Sequence, residues 1–454
     1  MAAMSPYLVL TLAFLGCPSA SLLPPQFEAS TYTSWSSLKP PNGSTSKVAT
    51  ISIPVDDDDV IKLTRLDLNG DEYQRGFDQG WLLSDSIADF IDKDLNEFFK
   101  EEIENLNINS LPVKLQDIIQ PLLDKLSEYA PEIFWRSMSF VWESEKDYVP
   151  EYLKDEMRGI AEGICSGTTT SKDTCNATEW NSKVNAINML PELIRMSCTS
   201  IGAWGNATTH SGLVQLRALD FGSGPFANHT TVTVHHPADE QAFLTVGFPA
   251  FVGVVTGISE RGVGVSEKVW ETYDKPGIQP GSYDGLADTL VIRHILQNSI
   301  NRKEAVDYVK SIKRTWSVWL GIGDYESGKL DLIGYRQADV NVYNDETTPT
   351  MTGQPAIPNV AYIDKHPQPS HATDLPELIN NHTGKLDFTA FQDIVQKHET
   401  GDLHFAVYDF SSMKMMLAIG RIDGDGNYGG DGKVWKAYNR PAIIFDLNDI
   451  WNGV

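Results

Sequence analysis

Two neighbouring segments hold the residues whose types and spacing could do chemistry. CTSIGAW opens on Cys198, and LVQLRALDF carries Arg217 and Asp220. If the two runs pair as strands around the turn NATTHSG, residue numbers across the ladder sum to about 417, which sets Cys198 beside Leu219 and Asp220. Arg217 and Asp220 differ in parity, so an ideal strand sends them to opposite faces. A bulge or a strand end is then needed to bring both to the thiol. A strand that begins with Cys and is paired to one carrying Arg and Asp suits self-cleavage at the Ser197–Cys198 bond. The released α-amine, with a pKa of about 7.7–8, becomes the general base, and no separate histidine is required. Asp220 would hold the amine, and Arg217 would orient the thiolate and lower its pKa. A plainer reading has the same spacing: an Arg and Asp pair on a sheet surface over an inert, buried Cys.

Cysteine arithmetic bears on that choice. The chain has four cysteines. Residues 1–20, MAAMSPYLVLTLAFLGCPSA, contain no charged side chain and hold an apolar run from Tyr7 to Gly16, followed by the small residues Ser19, Ala20 and Ser21. This reads as a signal peptide, too short to span a bilayer. Cys17 leaves with it. Cys165 and Cys175 bracket the polar loop SGTTTSKDT, which a disulfide would close. Cys198 remains, either paired with a second chain, inert in a core, or kept because it reacts.

Composition limits the partners. The chain has 454 residues, 36 Lys plus Arg against 61 Asp plus Glu, and a formal charge of -25. No clustered basic run is present, so nucleic acid is not an expected partner. Hydrophobic residues at 41% and 11 Trp suffice for a sizeable core. Acceptor triplets for N-glycosylation stand at Asn42, Asn176, Asn206, Asn228 and Asn381, and no later segment has the 18 or so apolar residues of a membrane span. The expectation is a protein of the secreted or lysosomal lumen.

The elements that must position Cys198 change type around it. Residues 21–60 are rich in Ser, Thr and Pro, show no helical period, and end in the acid run Asp56 to Asp59, expected to be a solvated loop. From about 72 to 196 the pattern is helical. Tyr73, Phe77 and Trp81 step by four, Ile87, Ile91, Leu95 and Phe98 continue the stripe, and Leu115, Ile118, Ile119, Leu122 and Leu126 form another, all expected in the core. EYLKDEMRGIAEGI and SKVNAINMLPELIRMS are further helical segments. After Cys198 the period becomes two: CTSIGAW, LVQLRALDF, TTVTVHH, AFLTVGF, FVGVVTGI and GVGVSEKVW. Helices are expected at LADTLVIRHILQNS and EAVDYVKSI, then strands at SVWLGIGDY, KLDLIGY, HFAVYDF and KMMLAIG. This order argues for an α+β layered architecture.

NMLPELIRMSCTSI followed by RALDFG resembles acid ceramidase and its relatives, with Cys198, Arg217 and Asp220 on that family's nucleophile, arginine and aspartate. YQRGFDQGWLLSDSI is similar to a helix of the acyl-coenzyme A:6-aminopenicillanic acid acyltransferase group, EMRGIAEGI to a helix common to both, and FVGVVTGISERGVGVSEKVW to paired strands after the nucleophile hairpin. The resemblance implies a four-layer αββα sandwich of the N-terminal nucleophile (Ntn) hydrolases. It also implies a precursor cut between Ser197 and Cys198. A mostly helical α chain (21–197) and a catalytic β chain (198–454) would stay associated, and the substrates would be linear amides, with lipid or other acyl amides favoured. Related enzymes complete the oxyanion hole with an asparagine on a later strand and often place another arginine near the last strands. The corresponding YIDKHPQPSH offers Asp364, Lys365 and His366, and TGDLHFAVYD offers His404; both histidines are expected to be structural.

No cofactor or metal is expected. Asp423, Asp425 and Asn427 mimic the start of a calcium loop, but Tyr428 and Val434 stand where Gly and Glu belong. His235 and His236 precede Pro237 without a third ligand at metal spacing, and no GxSxG, HExxH or paired CxxC is present. The expected activity is a self-processing cysteine amidohydrolase. Its rivals are an acyltransferase of the same fold and a non-catalytic glycoprotein that keeps the fold to bind lipid or a partner.

Overall fold

The computed structural model describes residues 23–41, 43–55, 59–102, 126–167, 175–194, 197–221, 224–270, 283–315, 317–347, 353–422 and 434–453. The signal segment, Asn42, Asp56 to Asp58, the apolar stripe from Leu115 to Leu122, the calcium-like Asp423, Asp425 and Asn427, and most of the SGTTTSKDT loop lie outside the described residues.

The first strands are β1 (Gln26–Glu28), β2 (Thr33–Trp35), β3 (Lys47–Pro54) and β4 (Val60–Asn69). The main helices of the next region are α1 (Glu72–Leu82), α2 (Leu126–Glu145), α3 (Glu151–Gly167), α4 (Ala177–Ile187) and the single turn α5 (Leu190–Leu193). Then follow β5 (Ser197–Gly205), β6 (Ser211–Asp220), β7 (Thr231–His236), β8 (Phe243–Gly247), β9 (Thr256–Ser259) and β10 (Val263–Val269). Helices α6 (Asp288–Asn298) and α7 (Arg302–Ser311) precede β11 (Ser317–Asp324), β12 (Lys329–Arg336), β13 (Val340–Tyr343) and β14 (Val360–Ile363). The chain closes with α8 (Asp374–His382), α9 (Phe388–His398), β15 (His404–Asp409), β16 (Lys414–Ile419), the ribbon β17 (Arg421–Ile422) and β18 (Val434–Trp435), and β19 (Ala442–Asp446).

These strands build two large sheets. One runs β1-β19-β16-β15-β6-β5-β14 and the other β13-β12-β11-β10-β9-β8-β7-β4-β3-β2. Alternation along the strands splits the apolar side chains into layers. Ile51, Leu63, Val232, Leu244, Leu332, Ala406, Leu417 and Ile443 fill the space between the sheets. Leu66, Leu68, Val265, Leu320 and Ile333 face the helices over the longer sheet. Leu375, Ile379, Phe391 and Ile394 of α8 and α9 cover Ile201, Leu216, Phe405 and Val407 of the shorter one. The architecture is an αββα sandwich within the α+β class.

The sheets approach closely at β5. A Cβ on Gly321 would stand 2.3 Å from the Ser266 hydroxyl and 2.6 Å from that of Ser200, and one on Gly202 would stand 2.4 Å from Leu330 Cβ. A side chain at either position would force its neighbours to move.

Two expectations are revised. Residues 21–60, read as a Ser-, Thr- and Pro-rich stretch with no element assigned, carry β1 to β3 and lead into β4, and these strands join both sheets: β1 adds in parallel to β19, and β4 runs parallel to β7. Their solvent-side residues are polar, which masks the alternation. Tyr73, Phe77 and Trp81 are only half-buried. The buried face of α1 is instead Arg75, Gly76, Gln79 and Gly80. The reason is a glycine crossing, because a Cβ on Gly76 or Gly80 would stand 2.0 or 2.1 Å from a carbonyl oxygen of α3, and one on Gly159 or Gly163 would stand 2.2 or 2.1 Å from one of α1. The backbones touch, so the aromatics flank the contact.

Candidate active site

Strands β5 and β6 pair in the expected register. Cys198 faces Leu219, Ser197 faces Asp220 and Ser200 faces Arg217. Facing residues of an antiparallel ladder share a side of the sheet. Cys198, Ser200 and Arg217 therefore lie on the face turned to the other sheet, and Thr199 and Asp220 on the face under α8 and α9. The parity argument holds, and the strand end answers it. Asp220 is the last residue of β6, and the Thr400 to Asp402 loop closes around its carboxylate. Thr400 Oγ1 lies 2.5 Å from Oδ2, while the Gly401 and Asp402 amides donate to Oδ1 at 2.7 and 3.4 Å. Thr400 Oγ1 also lies 2.8 Å from Thr199 Oγ1. Burial nonetheless pushes Asp220 up to about 6; the Thr400 and Gly401 bonds and the Lys365 charge oppose the rise, and the Asp402 charge adds to it.

Cys198 and Arg217 are fully buried. The guanidinium is held by three elements: Nε donates to Val255 O at 3.2 Å, Nη1 donates to Ala218 O at 2.9 Å, and Nη2 lies 3.5 Å from Glu267 Oε2 on β10. It also bonds the Cys198 sulfur. Burial pushes the thiol up to about 12 against the pull of Arg217, and the charges of Glu267 and Asp220 add to the rise. In this uncut chain Cys198 is a neutral thiol beside a fixed cation.

Three groups of this constellation carry no local signal in the sequence. Glu267, in GVGVSEKVW, is buried, and that burial raises its carboxyl to about 8 although Arg217 opposes the shift. Thr400 fixes Asp220 from a distant loop. Asn188, upstream of Cys198, accepts from the Val252 and Gly253 amides at 2.7 and 3.0 Å and donates to Ala250 O at 3.0 Å. It thereby holds the loop that ends at Val255. This explains why FVGVVTGI, expected to be one strand, is strand only over Thr256–Ser259.

The oxyanion candidates are placed less favourably. Ile363 of β14 faces Ser200, so the next residue, Asp364, follows the parity of Thr199. Its carboxylate accepts from Gln354 at 3.0 Å, His366 Nδ1 at 3.0 Å, Gln368 at 2.8 Å and Ser370 at 2.6 Å. Lys365 donates to Glu399 O at 2.7 Å. His404 faces Leu219 from β15, and its Nε2 lies 2.9 Å from Thr256 Oγ1. Burial, with Arg217 beside it, holds His404 well below the usual histidine range, so it is a neutral core residue.

A narrow apolar slot opens beside these groups, with Leu190, Ile194, Phe221, Phe226, Phe248 and Val255 among its walls. Cys165 and Cys175 form a disulfide. Asn176, Asn206, Asn228 and Asn381 are exposed. Among the described residues no helix is long and apolar enough to cross a membrane, and no cluster of His, Cys, Asp and Glu is placed to hold a metal ion.

No family model matches the chain. The Dictyostelium discoideum protein dcd1A is 31% identical over 403 residues, spanning 85% of this chain and 85% of that protein. Similar solved structures include a penicillin V acylase from Agrobacterium tumefaciens, at TM-score 0.34 and 11% identity, covering 49% of this chain and 83% of that one. The Caenorhabditis elegans N-acylethanolamine-hydrolyzing acid amidase ortholog reaches TM-score 0.34 and 14% identity, covering 46% and 92%. At these scores the fold rests on its own sheets and helices.

Proposed function

We propose that this chain, which belongs to the family of the Dictyostelium discoideum protein dcd1A, is an Ntn amidohydrolase that cuts itself before Cys198 and then hydrolyses linear acyl amides. The observation that carries this reading is the register that sets Cys198 at the head of β5, Arg217 against its sulfur and Asp220 opposite residue 197.

In the cut, the Cys198 sulfur attacks the Ser197 carbonyl carbon. The C–N bond breaks as the Cys198 nitrogen takes a proton, and the Ser197 acyl group passes to sulfur as a thioester. Water hydrolyses it, leaving a carboxylate on Ser197 and a thiol and α-amine on Cys198. In turnover the amine accepts the thiol proton, the thiolate attacks the substrate carbonyl, and the leaving amine departs protonated. Water then regenerates the thiol and releases the fatty or other acid. Arg217 favours the thiolate, and Asp220, anchored by Thr400 and Gly401, holds the ammonium form of the new terminus. An apolar slot with Phe221 and Val255 in its wall suits an acyl chain, and α5 and Ile194, upstream of the cut, line it until the cut frees them.

The disulfide and four exposed acceptor asparagines support an address in the secreted or lysosomal lumen. A second reading, a non-catalytic binding protein, is favoured by Asp364, because acceptor oxygens already bonded to four donors cannot stabilise an oxyanion. Labelling separates the two: a fluorescent acyl-amide analogue with an electrophilic warhead should modify the cut protein at Cys198, and absence of labelling on a correctly cut chain would favour the binding protein.

A further inference from the structure

The most unusual group of side chains outside this site is a set of three buried carboxyls. Glu145 ends α2, Glu192 lies in α5, and Asp288 opens α6; their exposures are 0%, 2% and 4%. Thr315 Oγ1 donates to Glu192 Oε1 at 3.1 Å and lies 3.5 Å from Leu286 O, two residues before Asp288, whose charge acts on Glu192. Neither oxygen of Glu145 nor Oε2 of Glu192 has a partner in good geometry.

The charged and titratable groups that face the set among the described residues are a further acid, a lysine, a tyrosine and an arginine. Glu267 of β10 is a further acid, raised by the Asp288 charge and lowered by Lys268 beside it, which donates to Val269 O. Tyr335 of β12 turns its hydroxyl to Leu286 O. Arg314, ahead of β11, donates to the carbonyls of Val309, Ile312 and Arg336. Among the described residues no cation offsets the burial of any of the three.

We propose that Glu145, Glu192 and Asp288 form a proton-dependent clamp that holds α2 and α5, and with them the segment leading to Cys198, on α6 of the C-terminal half. Two carboxylates cannot share a dry contact, but one proton turns that contact into an O–H···O bond, and a second proton satisfies the third group. The clamp lies across the junction between residues before and after Cys198, so it closes when protonated and loosens when ionised. The shifts agree in direction. Burial raises Glu145 and Glu192 well above the ordinary range, and raises Asp288 to about 6. Acids raised in the folded state lend stability that is fully present below the unfolded pKa of about 4 and is lost as pH rises through 6 and beyond.

The clamp does not require the Ser197–Cys198 bond to be cut, so its test uses the full chain carrying Cys198→Ala. Thermal midpoints are measured at pH 4.5, 6 and 7.5 with and without Glu192→Gln, Asp288→Asn and Glu145→Gln. Each amide removes one ionisable group, so the variant midpoint should gain on the parent between pH 4.5 and 7.5, on the order of a few °C. A difference between variant and parent that stays constant across the three pH values would overturn the clamp. Failure of all three amide variants to fold at every pH would overturn it equally, since an amide is the nearest neutral mimic of the protonated acid.

Discussion

Arg217 of β6 and Glu267 of β10 meet at 3.5 Å with both side chains buried, and the arginine that touches the Cys198 sulfur is thereby held by an acid from the opposite sheet. Replacing Arg217 by Gln should reduce both self-cleavage and amidase activity by about 10²-fold or more. Its stability cost should depend on pH. Glu267 has a raised carboxyl at about 8, so below that pH it carries a proton and loses little when the cation goes. Above pH 8 the cost should grow by up to about 1.4 kcal/mol per pH unit, because an acid deprived of the cation must take up a proton or stay uncompensated. Adding Glu267→Gln should recover most of that loss at pH 9, as read by denaturant midpoints of the Cys198→Ala chain.

Thr400→Val removes the hydroxyl bonded to Asp220 Oδ2. The remaining carboxylate should cost about 1–3 kcal/mol when ionised. Asp220 is raised to about 6 in the native chain, so the loss should appear above pH 6 and vanish below it, where the acid is neutral in both proteins. The pH at which self-cleavage is half-maximal should move upward. An unchanged profile would remove Asp220 from the reaction.

Gly247 lies in the wall of the apolar slot, and a Cβ there would meet nothing within 4 Å. Gly247→Phe should therefore fold and cut normally yet fill the slot. Hydrolysis of long-chain acyl amides should fall at least about tenfold while short-chain amides are spared, measured as kcat/KM over an acyl-length series.

Gly159→Ala drives a methyl to 2.2 Å from the Tyr73 carbonyl oxygen. Backbone cannot yield as a flexible side chain does, so the cost should reach or exceed the upper end of about 1–3 kcal/mol. Lower secretion and a reduced denaturant midpoint check it, and a silent substitution would show that α1 and α3 do not cross this tightly.

The hairpin that carries the site was legible because its logic is local: a polar turn between two runs of period two fixes both register and parity. Cys198 opposite Leu219 follows from that alone. The disulfide was equally local. Glu267, Thr400 and Asn188 were not legible, since each acts across the fold on a group distant in sequence, and a Glu within GVGVSEKVW reads as an ordinary strand residue until the second sheet is laid over it. The helix stripe of Tyr73, Phe77 and Trp81 misled for a related reason. Hydrophobic period marks the greasier face, and here the tighter contact uses glycine. Strands β1 to β4 escaped notice because alternation with Ser, Thr and Lys resembles a polar linker.

The account turns on the bond between Ser197 and Cys198. The full-length protein, expressed with residues 1–20 included, is reduced, separated on a denaturing gel, and each fragment sequenced from its N-terminus. A fragment beginning Cys198-Thr199-Ser200-Ile201, absent from the Cys198→Ala protein, is the predicted result. An intact chain throughout, or a cut at another bond that persists in the Cys198→Ala protein, would contradict it.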